Sequence, residues 1–177
     1  ISPSALLKTG IMYANFISDV DAYASQVNEH RLDLFTALNY NIQDWWRLSI
    51  NLRKGFYTDK SFPFVPSFGQ EIDLHIDPNN EIKFKTLISK SYRIPTLNDR
   101  FWVNQGNPNL LSESGYHAET GILWGNKKNG LDFVITHFRS WIDDLIVWLP
   151  LGGTFRPQNV RDVNIVGIES NVTWSIA

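Results

Sequence analysis

Residues 46–53 read Trp46-Arg47-Leu48-Ser49-Ile50-Asn51-Leu52-Arg53. Apolar and polar side chains alternate without a fault, which is the period of a β-strand with one face on an apolar medium. The pattern repeats on both sides of this stretch. Leu32, Leu34, Leu38 and Tyr40 precede it. Downstream, Ile72, Leu74 and Ile76 alternate with Glu71, Asp73 and His75, and Ile82, Phe84 and Ile88 with Glu81, Lys83 and Lys85. Near the end, Val166, Ile168, Val172, Trp174 and Ile176 alternate with Gly167, Glu169, Asn171, Thr173 and Ser175. His117–Gly125 and Leu131–Ile142 alternate less cleanly, and Leu6–Phe16 more weakly still. No segment carries a helical stripe. The fold class is all-β, an antiparallel meander of about eight strands.

The connections alternate in length. Short turns rich in Asn, Asp or Gly are expected at Asn41–Asp44, Asp77–Asn80 and Asn126–Gly130, the composition of tight hairpins. Long connections are expected at about Ile17–His30, Gly55–Gly69, Arg93–Tyr116 and Asp143–Arg161. A meander with one trimmed end and one elaborated end is the plan of a transmembrane β-barrel. The two faces agree: one is apolar with aromatics, while the other carries Arg31, Asp33, Arg47, Arg53, Glu71, Asp73, Lys83 and Lys85. Charge sign alternates between neighbouring strands, so cross-strand ion pairs are expected. A one-sided soluble sheet shows the same alternation and stays open as a reading.

Composition narrows the function classes. The 177 residues suit one domain, with 19% charged residues and a net charge of −2, which gives no electrostatic case for a nucleic-acid partner. The absence of cysteine excludes disulfides, thiolate zinc sites and cysteine nucleophiles. The apolar run Leu145–Leu151 is far short of the roughly 20 residues of a helical span. Ile1–Gly10 carries no secretory leader pattern. Aromatic residues reach 14%, with tryptophans at 45, 46, 102, 124, 141, 148 and 174. These suit a large core, a membrane-interface girdle or a ligand-stacking surface.

No phosphate loop, dinucleotide fingerprint, zincin motif or nucleophile elbow occurs in the chain. His30, His75, His117 and His137 have no ligand spacing, and Asp143 and Asp144, as neighbours on an extended chain, point apart. Nothing here supports an enzyme or calls for a metal or cofactor.

Residues 89–121 read SKSYRIPTLNDRFWVNQGNPNLLSESGYHAETG. Ser91, Tyr92, Arg93, Pro95, Thr96, Leu97, Asn98, Phe101, Trp102, Gly106, Asn107, Pro108, Leu110, Glu119 and Gly121 match a segment of the TonB-dependent outer-membrane receptors, which this stretch resembles. Asp143–Ile146, Asn159–Glu169 and Leu48–Gly69 resemble further stretches of that family, the last as in its Bacteroidetes members. One departure is Leu111-Ser112-Glu113, where the family has Lys-Pro-Glu.

The resemblance implies that residues 1–177 are one partial β-barrel domain, from the C-terminal half of a larger barrel in the bacterial outer membrane. The plug domain and the TonB box would lie outside these residues. It further implies active uptake of a scarce nutrient, such as a cobalamin, siderophore, haem or glycan. The partners would be outer-membrane lipid, a small-molecule or metal-chelate ligand, and the TonB system through the plug.

Pro95 and Pro108 cannot donate to a ladder, so the segment between them leaves the sheet and presents Tyr92, Arg93, Asn98, Asp99, Arg100, Phe101, Trp102, Asn104 and Asn107 on a long loop. Their aromatic, amide and guanidinium groups suit a polar organic ligand or a metal chelate. Equally, Pro95, Asn98 and Asn107 suit the internal turns of the loop. Two other classes stay open: a complete eight-stranded outer-membrane barrel with a structural or adhesive role, and a soluble aromatic-rich carbohydrate-binding module.

Overall fold

The computed structural model describes residues 4–58 and 60–175; Ile176, the last member of the final alternating set, lies outside them. Eight strands form one antiparallel sheet in chain order. They are β1 (Ser4–Ser18), β2 (Val27–Gln43), β3 (Trp46–Tyr57), β5 (Val65–His75), β6 (Asn80–Arg93), β7 (Glu113–Asn126), β8 (Leu131–Asp143) and β11 (Val163–Trp174). A two-residue strand, β4 (Lys60–Ser61), pairs with β3. Within the long connection after β8, β9 (Leu145–Leu151) and β10 (Thr154–Val160) make a separate hairpin. One short helix, α1 (Leu97–Phe101), interrupts the long connection after β6.

Sheet strands of 11 to 17 residues reach or exceed the roughly 9–11 that cross a bilayer. β1 and β11 are opposite edges and do not pair, so these eight strands do not close into a barrel by themselves. Among the described residues nothing packs on the apolar face of the sheet. Val166, Ile168 and Trp174 keep 65%, 69% and 66% of their surface exposed, where a soluble sandwich would bury them. Among the described residues the buried hydrophobic ones are Phe62, Leu110 and Ile146, all in or beside the long connections.

The polar face is laced as the charge alternation requires. Arg47 of β3 pairs with Glu71 and, at 2.6 Å, with Asp73 of β5. Lys85 of β6 reaches Glu71 at 3.0 Å and Lys83 reaches Asp73 at 3.8 Å. Arg53 meets Asp33 at 3.1 Å. Partly exposed pairs contribute about 0–1 kcal/mol each, so the ladder fixes register more than it adds stability.

Three expectations need correction. The strands run further toward the long-connection end than alternation shows: β2 begins at Val27, β3 continues to Tyr57 and β7 begins at Glu113. Past an apolar slab both faces meet polar surroundings, so alternation fades while the ladder hydrogen bonds continue. Residues 97–101 form a helix, because Thr96 and Asp99 make a reciprocal capping box, with Thr96 N to Asp99 Oδ2 at 2.9 Å and Asp99 N to Thr96 Oγ1 at 3.1 Å. One turn is too short to leave a periodic signature. The run Leu145–Leu151, expected as loop, is the first strand of a hairpin that bends back at Gly152 and Gly153, both at positive φ.

At the other end the turn between β5 and β6 is closed locally. Asp77 Oδ1 accepts from the backbone N–H groups of Asn79 at 2.8 Å and Asn80 at 2.9 Å, and its Oδ2 from Asn80 Nδ2 at 2.7 Å. The Asn80 side-chain bond, with the backbone bonds from Asn79 and Asn80, holds the Asp77 carboxyl below its ordinary range.

Candidate functional site

The long connections join into one roof over the polar face. Its centre is the segment 94–112, which leaves the sheet at Ile94 and Pro95 and returns at Glu113. Leu110 and Pro95 are fully buried and anchor its two ends. Between them α1 is followed by a tight return in which the Gly106 and Gln105 N–H groups donate to the Trp102 carbonyl at 2.7 and 3.2 Å, and Asn107 N–H to the Asp99 carbonyl at 2.7 Å. A Cβ on Gly106 would stand 2.8 Å from the Arg100 carbonyl oxygen and 2.7 Å from the Trp102 nitrogen. The glycine of the GNPNL stretch is there because two backbones touch.

The roof reaches sideways to distant strands. Arg100 forms an ion pair with Glu29 of β2, and the two side chains are only 9% and 5% exposed. Val103 N–H donates to the Ala22 carbonyl at 2.8 Å, the Tyr23 hydroxyl donates to Asn98 Oδ1, and the Tyr23 ring meets Phe101 edge-on at 6.4 Å. On the other side Trp148 of β9 donates its indole N–H to Asp99 Oδ1 at 2.9 Å. Glu113 accepts from Ile146 N–H at 2.6 Å while pairing with Arg93, whose Nε lies 2.7 Å away. Asn159 of β10 bonds Leu111 through both amide atoms, at 2.9 and 3.1 Å, and reaches the Asp144 carbonyl at 2.7 Å. Burial pushes the Asp99 carboxyl up, but the two bonds from Thr96, the Trp148 indole and the nearby Arg93 outweigh it and leave the group below the ordinary aspartate range.

Beneath the roof lies a cavity of about 530 Å³ between α1 and the polar face. Phe16, Tyr57, Phe62 and Tyr92 supply aromatic walls, and Arg31, Arg53 and Arg93 supply guanidinium groups. Arg31 stacks on both Phe16 and Tyr57, at 4.4 and 4.8 Å from the ring centroids. Phe62 packs on Tyr57 and Tyr92 with centroids 4.9 and 5.0 Å apart. It lies over Gly55, where a Cβ would come within 2.1 Å of the ring. Each arginine has a carboxylate partner: Glu29, Asp33 and Glu113 in turn. The cavity is balanced in charge and offers stacking planes with fixed donors.

The nine residues expected on the loop divide into groups. Asn98, Asp99, Arg100 and Asn107 spend their polar atoms on ties within the roof, Asn107 bonding Asn109 N–H at 3.0 Å and the Pro157 carbonyl at 3.5 Å. Tyr92 and Arg93 border the cavity. Phe101 is half-buried between Tyr23 and the Arg100 guanidinium. Trp102 and Asn104 stand at the outer rim, Trp102 edge-on to Trp148 at 6.2 Å and Asn104 at positive φ. Sequence reasoning missed Tyr23, Glu29, Phe62, Trp148 and Asn159, which come from four other segments. Only Trp148 and Asn159 had any signal, as a tryptophan within an apolar run and as part of the Asn159–Glu169 resemblance.

The sequence profile of the TonB dependent receptor-like β-barrel family matches residues 7–177. The chain belongs to this family. A "Vitamin B12 transporter BtuB" of Vibrio vulnificus is 35% identical over 103 residues, 55% of this chain and 16% of the relative. One of Photobacterium profundum is 25% identical over 162 residues, 89% of this chain and 26% of the relative. Among solved structures, the siderophore receptor PirA from Pseudomonas aeruginosa superposes with a TM-score of 0.79 at 18% identity, covering 95% of this chain and 33% of that one. The RagAB peptide importer superposes with a TM-score of 0.67 at 13% identity, covering 99% of this chain and 28% of that one. The chain thus spans between about a sixth and a third of the length of these proteins. TonB-dependent receptors reside in the bacterial outer membrane and are not enzymes. The apolar face of the sheet is therefore the lipid face of a barrel wall, and the polar face lines the lumen.

Five tryptophans follow from that placement. Trp46, Trp124 and Trp174 lie on the lipid face near the short turns, Trp45 stacks on Trp46 at 5.9 Å, and Trp141 lies on the lipid face near the long connections. These are interface girdles, whereas Trp102 and Trp148 belong to the roof.

Proposed function

We propose that the receptor containing this chain imports a scarce nutrient across the outer membrane, in the class of cobalamins, siderophores, haem or glycans, driven through TonB and a plug carried elsewhere in the protein. What supports this reading is the roofed mouth: a family barrel wall whose long connections enclose an aromatic and guanidinium cavity on the lumenal side. Cargo meets Trp102 and Asn104 at the rim, then Tyr92, Arg93 and the stacked Arg31 in the cavity. Asn98, Asp99, Arg100 and Asn107 hold the roof in shape.

Two relatives named as vitamin B12 transporters make a corrinoid the first cargo to try. The test is calorimetric titration of the full receptor with cyanocobalamin, a ferric siderophore, haem and an oligosaccharide, repeated on Trp102→Ala. The reading expects one cargo to bind, with about ten-fold weaker affinity in the variant, the upper range for one stacking side chain. Binding of none, or uptake that persists in cells lacking TonB, would overturn it.

A further inference from the structure

Halfway up the outward face, four polar side chains stand in one row. The register sets Gln70 of β5 opposite Thr86 of β6, Thr86 opposite Thr120 of β7, and Thr120 opposite His137 of β8. Each alternates with lumenal residues, as Gln70 does with Gly69 and Glu71 and Thr86 with Lys85 and Leu87, so the row is on the lipid side. Thr120 lies four residues from Trp124 and four from Tyr116, and His137 four from Phe133 and four from Trp141. The row is thus roughly 13 Å of strand from the aromatics at either end, in the middle of the apolar band.

Apolar side chains surround it. Leu48 and Ile168 continue the row on either side, and Phe68, Phe84, Ile88, Ile122 and Ile135 stand exposed above and below it. Among the described residues the four side chains make no hydrogen bond. Acyl chains offer no partner either, and a polar group left unpaired in hydrocarbon is costly. A second polypeptide at the same depth supplies what lipid cannot.

The chemistry of the row points to which polypeptide. Glutamine, threonine and an uncharged imidazole each both donate and accept, so the row is complementary to a copy of itself. Its centre is also shallow. Thr86, Thr120 and the adjoining outward Ala118 are small, set among Phe84, Ile88, Tyr116 and Ile122, and small residues let two walls approach closely within a membrane. We propose that this row is the centre of a contact with a second copy of the receptor, an isologous dimer in the outer membrane. A two-fold axis along the membrane normal, passing between Thr86 and Thr120, brings the two threonine pairs together. Because the strands tilt, the rows of the two copies cross there, with Gln70 and His137 flanking the crossing. Five strands about 4.8 Å apart, over an apolar band about 25 Å tall, offer roughly 600 Å² per copy, about 1,200 Å² in all, the lower end of specific interfaces. The contact rests on the assignment of this face to lipid and is independent of cargo.

The test is cysteine cross-linking of the full receptor in outer membranes, on a background without other cysteines. Under a membrane-permeant oxidant, Thr86→Cys and Thr120→Cys should each give a disulfide-linked species of twice the receptor mass. Leu7→Cys, on the exposed outward side of β1, should stay monomeric. In detergent, mass photometry of the cysteine-free receptor should show a dimer that is about three-fold weaker in Gln70→Leu or His137→Leu, the typical strength of one hydrogen bond within a membrane. Leucine suits a lipid-facing position, so these variants keep the barrel intact. No cross-link at Thr86 or Thr120, equal cross-linking at Leu7, or a linked species whose added mass is that of a different protein overturns the proposal. A monomer–dimer equilibrium unmoved by both leucine variants overturns it as well.

Discussion

The two ends of this barrel wall are built by opposite means. At the short turns side chains close on backbone two or three residues away, as Asp77 does with Asn79 and Asn80 and Asn126 with Asn129, and neighbouring turns are joined by main-chain bonds such as Lys127 N–H to the Asn79 carbonyl at 2.8 Å. At the long connections the decisive contacts run between residues 48 to 71 apart in sequence: Asn159 with Leu111, Trp148 with Asp99, Arg100 with Glu29. One end is fixed by residue type and spacing. The other is a cooperative assembly in which three separate segments must already be in place. The roof is therefore expected to open as a unit while the wall below it stays closed.

The sharpest way to break that contrast is Glu29→Ala. It leaves Arg100, nearly buried, without its carboxylate partner, which costs about 3–5 kcal/mol. Hydrogen exchange across residues 94–112 should rise steeply while β5 and β6 keep their protection. A uniform rise would mean that roof and wall are one cooperative unit.

Next is Gly106→Ala. The added methyl meets backbone rather than a movable side chain, and overpacking of this kind costs about 1–3 kcal/mol. Limited proteolysis should cut the roof of this variant first, leaving the strands intact; cleavage no faster than in the parent would refute the close approach.

Asp99→Asn has a smaller effect, about 1–2 kcal/mol, from the weakened cap and the lost charge assistance to Trp148. Its pH signature has a definite sign. Because the folded-state pKa of Asp99 is lowered, its contribution is fully present above the ordinary aspartate value near 3.9 and is lost as pH falls through the lowered folded value. Trp148 fluorescence in the parent should change only in that acid window, and in the Asn variant it should be flat there.

Smallest is Lys85→Gln on the lumenal ladder, below about 1 kcal/mol, because Lys85 is well exposed and Glu71 keeps Arg47. Thermal unfolding of the receptor should be nearly unchanged.

This contrast also says what could be read from the sequence. The wall was legible: period two, the alternating turn lengths and the sign-alternating charges at Arg47, Glu71 and Lys85 are local patterns, and the register places them as those patterns require. The strand extensions at Val27 and Tyr57 were not, because alternation ends where both faces turn polar. In the roof, Pro95 and Pro108 marked the departure from the sheet. Nothing local tells that Thr96 and Asp99 cap a helix turn between them, or that Arg100 faces a glutamate 71 residues earlier. Side chains conspicuous on a loop were legible as conspicuous. Their division into roof ties and exposed groups depended on partners from other strands.

The central claim is that these strands form a wall with lipid on one side and lumen on the other. Spin labels placed one at a time along residues 164–174 of β11 in the full receptor, reconstituted in bilayers, test it most directly. Accessibility to dissolved oxygen should peak at Val166, Ile168 and Val172, and accessibility to a polar nickel chelate at Gly167, Glu169 and Asn171. Loss of the two-residue alternation, or its inversion, would contradict the account.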